Sequence, residues 1–153
     1  MSAANASRLV IEPIAPGEAA AVIALWHEAG LTRPWNDPAR DLASACASTA
    51  AAVLVGKRDG VIVASAMVGH DGHRGGLYYL SVAAADRGRG YGKEMLRAAE
   101  AWLLRRGVWK VNLAVRSDNA AVIDFYRDAG YEPAETVMLG RWIDPSKKGP
   151  ARG

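Results

Sequence analysis

The sequence predicts an α/β fold, a mixed sheet with helices laid against it. Three observations carry this reading. Apolar runs of strand length alternate with segments of helical period along most of the 153 residues. Asp59 and Gly60 form a strong turn dipeptide between two apolar runs, the signature of a hairpin with a two-residue loop. Further on, an apolar strand runs through a glycine-rich loop directly into a long helical segment.

Residues 9–14 read as a first strand. Residues 18–29 form an amphipathic helix with Val22, Leu25, Trp26 and Ala29 on one face, closed by Gly30. Asp37 followed by Pro38 pairs an N-cap acid with proline at the first helical position, so a second helix starts there. Residues 52–57 and 61–69 are the hairpin strands around Asp59 and Gly60, and residues 78–82 are the next strand. Residues 91–106 form a long helix with Met95, Ala98, Ala99 and Trp102 on one face. Residues 111–115 read as a strand, a helix follows from Asn119, and the stretches from Tyr131 onward and over 137–142 read as closing strands. There is no internal repeat. Residues 8–144 are expected to form a single domain, with 1–7 and 145–153 as loose tails.

Composition excludes several classes. Half the residues are apolar and 23% are charged, an ordinary soluble composition. The net charge of +3 is mild, and the basic residues are scattered apart from Arg105-Arg106 and Lys147-Lys148. No basic stripe interleaved with aromatics argues for nucleic acid; part of the surplus suits an anionic cofactor. Cys46 is the only cysteine, so no intrachain disulfide can form, and its small-residue helical surroundings predict a buried, inert thiol. The first seven residues lack the apolar core of a signal peptide. The longest uncharged run, 42–56, is too short and too polar to span a bilayer. No membrane association and a cytoplasmic location are therefore expected.

The glycine loop is the most informative segment. Gly88, Gly90 and Gly92 sit where the long helix begins, with Arg87 and Arg89 beside them. Helix starts carry unpaired N–H groups and partial positive charge, and glycine lets the backbone approach an anion closely, so the segment predicts a pyrophosphate site. A phosphate loop of the G-x-x-x-x-G-K-[ST] type fails, because Arg87 stands at its first glycine and Glu94 at its hydroxyl. The G-x-G-x-x-G fingerprint fails because Lys93 stands at its third glycine. The pattern that fits is [QR]-x-x-G-x-[GA], over Arg87, Gly90 and Gly92. It resembles the acetyl-CoA loop of the GNAT superfamily of N-acetyltransferases.

A second segment agrees. Asn119, Val122, Phe125, Tyr126, Gly130 and Tyr131 match N-x-x-[AV]-x-x-[FL]-Y-x-x-x-G-[FY], which resembles the second GNAT signature. Here Asn119 is a good N-cap type and Gly130 a good C-cap. The predicted element order resembles the whole GNAT fold, a three-layer arrangement around a mostly antiparallel sheet with about four helices. In that fold two parallel strands splay apart and the pantetheine arm lies between them. The resemblance implies that backbone groups of Leu80, Ser81 and Val82 meet that arm. It places the pyrophosphate on Arg87, Gly88, Arg89, Gly90, Tyr91 and Gly92, with Lys93 in the same binding set. Asn119 would hold the arm or a bound water, and Tyr126 would protonate or hydrogen-bond the departing sulfur. The stretches 31–38 and 69–75 further resemble small bacterial acetyltransferases of the YpeA type.

The expected chemistry is attack of a neutral amine on acetyl-CoA in a ternary complex, with a small-molecule or peptide amine as acceptor and no metal. That needs a path for the amine proton, a donor for the developing oxyanion, expected from a backbone N–H near Leu80, and an acid for the thiolate. Ribosomal-type N-terminal acetyltransferases carry a glutamate on the strand before the second signature; here that position is Ala114. Candidates for the base are His70, Asp71, His73 and a water held by Tyr79 or Ser81. On the acceptor side, Trp35 and Asn36 are expected to border the pocket beside the loop carrying His70 and Asp71, with Asp37 as a helix cap. For Trp35, packing on the core is an equal alternative. Alternatives in function are a CoA-binding module without turnover, a peptide N-terminal acetyltransferase, and an interaction protein using Trp35 and Trp109. A monomer or homodimer is expected.

Overall fold

The computed structural model describes residues 8–149, which fall into two compact units. The larger comprises residues up to Thr32 and Asn36–Leu113; the smaller comprises Arg33–Trp35 and the chain from Ala114 onward. The tail expected over 1–7 and residues 150–153 lie outside the described residues.

In the larger unit the order is β1 (Val10–Pro13), α1 (Ala19–Glu28), α2 (Pro38–Ala47), β2 (Ala51–Arg58), β3 (Val61–His70), β4 (Gly75–Val82), α3 (Tyr91–Leu104) and β5 (Val111–Asn112). The five strands lie side by side in sequence order. All neighbours are antiparallel except β4 and β5, which run parallel. Local chemistry accounts for the boundaries. The hairpin between β2 and β3 turns through Asp59 (φ 51°) and Gly60 (φ 80°), the positive dihedrals that a two-residue turn requires. The Asp37 side chain accepts from the Arg40 backbone N–H and caps α2, with Pro38 at the first helical position.

Two helical layers cover the sheet. Val22 and Trp26 of α1 and Leu42 and Ala45 of α2 form one cluster with Val53 and Val55 of β2. Because strand residues alternate in facing, Leu54 and Gly56 look the other way. There a Cβ on Gly56 would stand 2.9 Å from the Met95 sulfur, and one on Gly75 would run into Leu103, so α3 sits close against the second face. Trp26, Met95, Leu96 and Leu103 are almost fully buried; each such side chain contributes roughly 1.5–3 kcal/mol by leaving water.

Two features of β4 shape the site. Its pairing with β5 lasts only from Gly75↔Val111 to Gly76↔Asn112, so residues 77–82 run on without that partner. Its pairing with β3 skips: Met67 opposes Tyr78 and Ser65 opposes Ser81, leaving Tyr79 and Leu80 opposite the single Ala66. This is a β-bulge, and Tyr79 carries its strain at φ 53°.

In the smaller unit α4 (Ala120–Asp128) is capped by Asn119, whose Oδ1 accepts from the Val122 backbone N–H, and it ends at Gly130 (φ 95°). Pro145–Lys147 forms a 3-10 turn capped by Asp144. Three sequence expectations differ from the structure. The strand expected over 111–115 is only Val111–Asn112. The closing strands expected from Tyr131 onward and over 137–142 are absent among the described residues. Pro133 lacks a ladder donor, Gly140 weakens extended pairing, and Val137, Met138, Leu139 and Ile143 are strongly exposed with no partner strand. Cys46 is exposed rather than buried, because α2 turns Leu42 and Ala45 to the core and Cys46 away from it. No helix among the described residues is long and apolar enough to cross a membrane.

Candidate active site

The end of β4 leads through a 3-10 turn (Ala84–Asp86) into the glycine loop and α3. Gly88 (φ 81°) and Gly90 (φ 82°) both adopt left-handed backbone, and Gly90 is the N-cap of α3. A Cβ added at either would meet nothing within 4 Å, so the space over the loop is open. Glycine is required here by its dihedrals and leaves the helix-start N–H groups uncovered. Gly92 lies within the first turn of α3. The Tyr91 side chain is buried in the core. Arg87, Arg89 and Lys93 are exposed.

The loop is tied down by a residue that motif reading passed over. Asp86, 8% exposed, accepts from Arg58 at 2.8 Å and lies 3.8 Å from Arg89. Glu28 accepts from the Ala84 backbone N–H at 3.0 Å, and Arg87 reaches back to the Val82 carbonyl. These contacts hold an otherwise irregular loop in one shape. An open, left-handed loop at a helix start, with two exposed arginines beside it, fits a pyrophosphate.

A hydrogen-bonded chain supports the bulge from beneath. The Trp26 indole N–H donates to Ser65 at 2.8 Å, and Ser65 and Ser81 share a hydrogen bond at 2.9 Å. All three side chains are buried. The Tyr79 ring stacks on Trp26 with centroids 4.0 Å apart and 11° between planes. Its hydroxyl donates to Asp41 Oδ2 at 2.7 Å. Burial first, and then that hydrogen bond and the negative charge of Asp41 and Asp37, hold the Tyr79 hydroxyl well above the usual tyrosine range. It therefore stays protonated and does not serve as a base.

Beside this bulge lies a cavity of about 670 Å³, lined by residues of the loop after α1, of α2 and of strands β2–β4. Asn36 lines it, and so do Asp41 and Ser44, which no local motif marks. Tyr78 and Tyr79 both face it, which consecutive residues of a regular strand cannot do and a bulge allows.

His70 and Asp71 are not among the lining residues. The His70 ring lies 6.1 Å from Trp102 of α3, on the other face of the sheet, and its Nδ1 accepts from the Gly72 backbone N–H. Asp71 Oδ1 accepts from the Arg74 and His73 N–H groups, each at 2.8 Å. Those two bonds hold its carboxyl below the usual range and make it a poor base. His73 is exposed. Among the described residues no group of three or more His, Cys, Asp or Glu could hold a metal.

In the smaller unit the Tyr126 ring meets Phe125 and Tyr131 edge-on, at 5.1 and 5.4 Å. Its hydroxyl bonds to no described residue, and burial raises it above the usual tyrosine range, so it keeps its proton. Asn119 uses Oδ1 as the cap of α4. The Trp35 ring lies against the backbone of Gly149, within the same unit. Trp109 is 80% exposed.

Comparison with known proteins agrees with this geometry. Residues 20–131 match the Acetyltransferase (GNAT) family. An acetyltransferase of Yersinia pestis is 44% identical over 120 residues, covering 78% of this chain and 85% of the relative. One from Pectobacterium atrosepticum is 43% identical over 121 residues, covering 79% and 86%. Among solved structures, an aminoglycoside N-acetyltransferase in complex with CoA superimposes with a TM-score of 0.77 at 18% identity, covering 90% of this chain and 96% of that one. Glucosamine-6-phosphate N-acetyltransferase from Arabidopsis thaliana gives 0.69 at 17% identity, covering 90% and 99%. These two likenesses concern the fold alone. With a family match over most of its length and acetyltransferase relatives above 40% identity, the chain belongs to the GNAT family of acetyltransferases and is an acyltransferase.

Proposed function

We infer that this enzyme transfers an acetyl group from acetyl-CoA to a primary amine of a small molecule or peptide, by direct attack in a ternary complex. The observation that carries the reading is the end of β4. The strand loses its β5 partner after Gly76, bulges at Tyr79 and Leu80, and runs into an open left-handed loop at the start of α3. An extended, phosphate-bearing cofactor suits that path, its arm along Leu80, Ser81 and Val82 and its pyrophosphate on residues 87–92. Acetyl-CoA supplies the thioester. The amine nitrogen bonds to the carbonyl carbon, the carbon–sulfur bond breaks, the sulfur takes a proton and the nitrogen loses one.

This chain's residues divide the work. The bulge takes backbone groups near Leu80 out of the regular ladder, which supports a role for an N–H there at the carbonyl oxygen. The GNAT-like signature of α4 supports Tyr126, whose hydroxyl burial keeps protonated, as the donor to the sulfur. Neither Asp71, held by backbone donors, nor Tyr79, held protonated, is suited to take the amine proton, which favours loss to water. The cavity's size suits a small acceptor. The test is release of free CoA thiol from acetyl-CoA with a panel of primary amines, with amide formation checked by mass spectrometry. Amine-dependent thiol release is expected; CoA binding without thiol release for any amine refutes the reading.

A further inference from the structure

We propose that Asp41 is the acceptor-recognition residue, and that the cavity it lines selects small acceptors carrying a second, positively charged group beside the amine that is acetylated. This rests on the transferase reading above and adds to it a chemical class of acceptor.

The argument begins with the lining. Leu31, Ala45, Ala51 and Met67 make much of the wall apolar. Asn36, Ser44, Tyr78 and Tyr79 supply neutral polar groups, and Asp41 is the one charged side chain among the lining residues. No lysine or arginine lines the cavity to neutralise it. Asp41 has one oxygen committed: Oδ2 accepts from Tyr79 at 2.7 Å. No described side chain or backbone group donates to Oδ1. A carboxylate takes several donors, so Asp41, as a lining residue, has unused capacity.

Asp41 is also held rigidly. It stands in the first turn of α2, behind the Asp37 cap. Tyr79 fixes its orientation and is itself fixed by the bulge and by the stack on Trp26. Trp26 is locked in turn by its bond to Ser65. A chain of groups, buried at Trp26 and Ser65 and half-buried at Tyr79, thus ends in one half-free carboxylate, and that kind of support makes a recognition group specific. A charge-assisted hydrogen bond from an ammonium suits it, whereas an acceptor bearing a carboxylate or phosphate would meet like charge with no cation to offset it. The support also comes from β4, the strand that continues through Leu80–Val82 to the glycine loop, so recognition and cofactor binding share one element.

The experiment compares three acceptors with the same reacting amine: 1,4-diaminobutane, butylamine and 4-aminobutanoate. Wild-type kcat/KM is expected to fall in that order, with diaminobutane ahead of butylamine by roughly ten- to hundredfold, the usual worth of a hydrogen bond to a charged group. Asp41→Asn keeps an oxygen for Tyr79 and removes the charge. It should erase that preference through the acceptor KM while leaving the acetyl-CoA KM within about twofold. Tyr79→Phe keeps the ring stack and frees the carboxylate's orientation, so it should reduce the preference only partly. Circular dichroism and CoA calorimetry on each variant check that the fold stands. Equal rates for all three amines, or a preference that survives Asp41→Asn, overturns the assignment. If the wild type acetylates none of the three, the transferase reading fails for these amines and Asp41 is judged by binding. Saturation-transfer NMR should then show diaminobutane bound to the wild type and not to Asp41→Asn, and equal signals reject the site.

Discussion

Gly90→Val separates the cost of backbone strain from the loss of an anion site. Gly90 has φ 82° and ψ 10°, and a β-branched residue in that region costs about 1–2 kcal/mol or slightly more. Nothing lies within 4 Å of the added Cβ, so no steric clash with the protein adds to the strain. At this chain length each kcal/mol lowers Tm by about 2–4 °C, giving an expected fall of about 2–8 °C. The open space that spares the fold is the space a pyrophosphate needs. Isopropyl bulk there should break one or more charge-assisted bonds to backbone N–H groups, each worth about 1.5–3 kcal/mol, and weaken CoA at least about tenfold. Gly107→Val is the control, since Gly107 has φ 76° and similarly open surroundings but lies beyond the other end of α3. It should lower Tm comparably and leave CoA affinity unchanged. Calorimetric titration with CoA reads both variants; unchanged affinity for Gly90→Val would refute the assignment of the loop.

Three further outcomes are expected. Tyr126→Phe should lower kcat with little change in the acetyl-CoA KM in single-turnover assays. Because burial raises the Tyr126 hydroxyl, the donor stays protonated through the ordinary tyrosine range, and the loss of activity it causes should fall above about pH 10; a Tyr126-dependent limb near neutrality contradicts this. Asp86→Ala should destabilise by about 1–3 kcal/mol, discounted for the partly exposed Arg58, and weaken CoA as the loop loses its anchor. Arg58 Nε is already buried without a partner among the described residues, so the variant leaves that guanidinium worse satisfied; denaturation and CoA titration both read the effect. Trp26→Phe removes the indole donor to Ser65 from a fully buried position and should cost about 1–3 kcal/mol in urea unfolding. An unchanged midpoint would show the chain beneath the bulge to be dispensable.

The likeness of the glycine loop and of the α4 segment to GNAT signatures was legible from spacing alone, and so were the Asp37 cap, the Asp59-Gly60 hairpin and the order of elements through α4. Each depends on dihedrals or hydrogen bonds within a few residues. Gly90 is glycine because its own φ is positive, and Asp37 caps because Arg40 is three residues on. The tertiary structure alone decided the rest. Asp41 meets Tyr79 across 38 positions, Trp26 meets Ser65 across 39, and Ser65 meets Ser81 across 16. No periodicity encodes a bulge that sets two residues against Ala66, yet that one skipped register turns both Tyr78 and Tyr79 to the cavity. Strand pairing is likewise a property of the partner. Residues 137–142 carry strand-like composition, but among the described residues no ladder lies beside them and they form no strand. Facing follows the same logic: His70 and Cys46 took their sides from what the sheet and α2 packed against, which the local sequence does not specify.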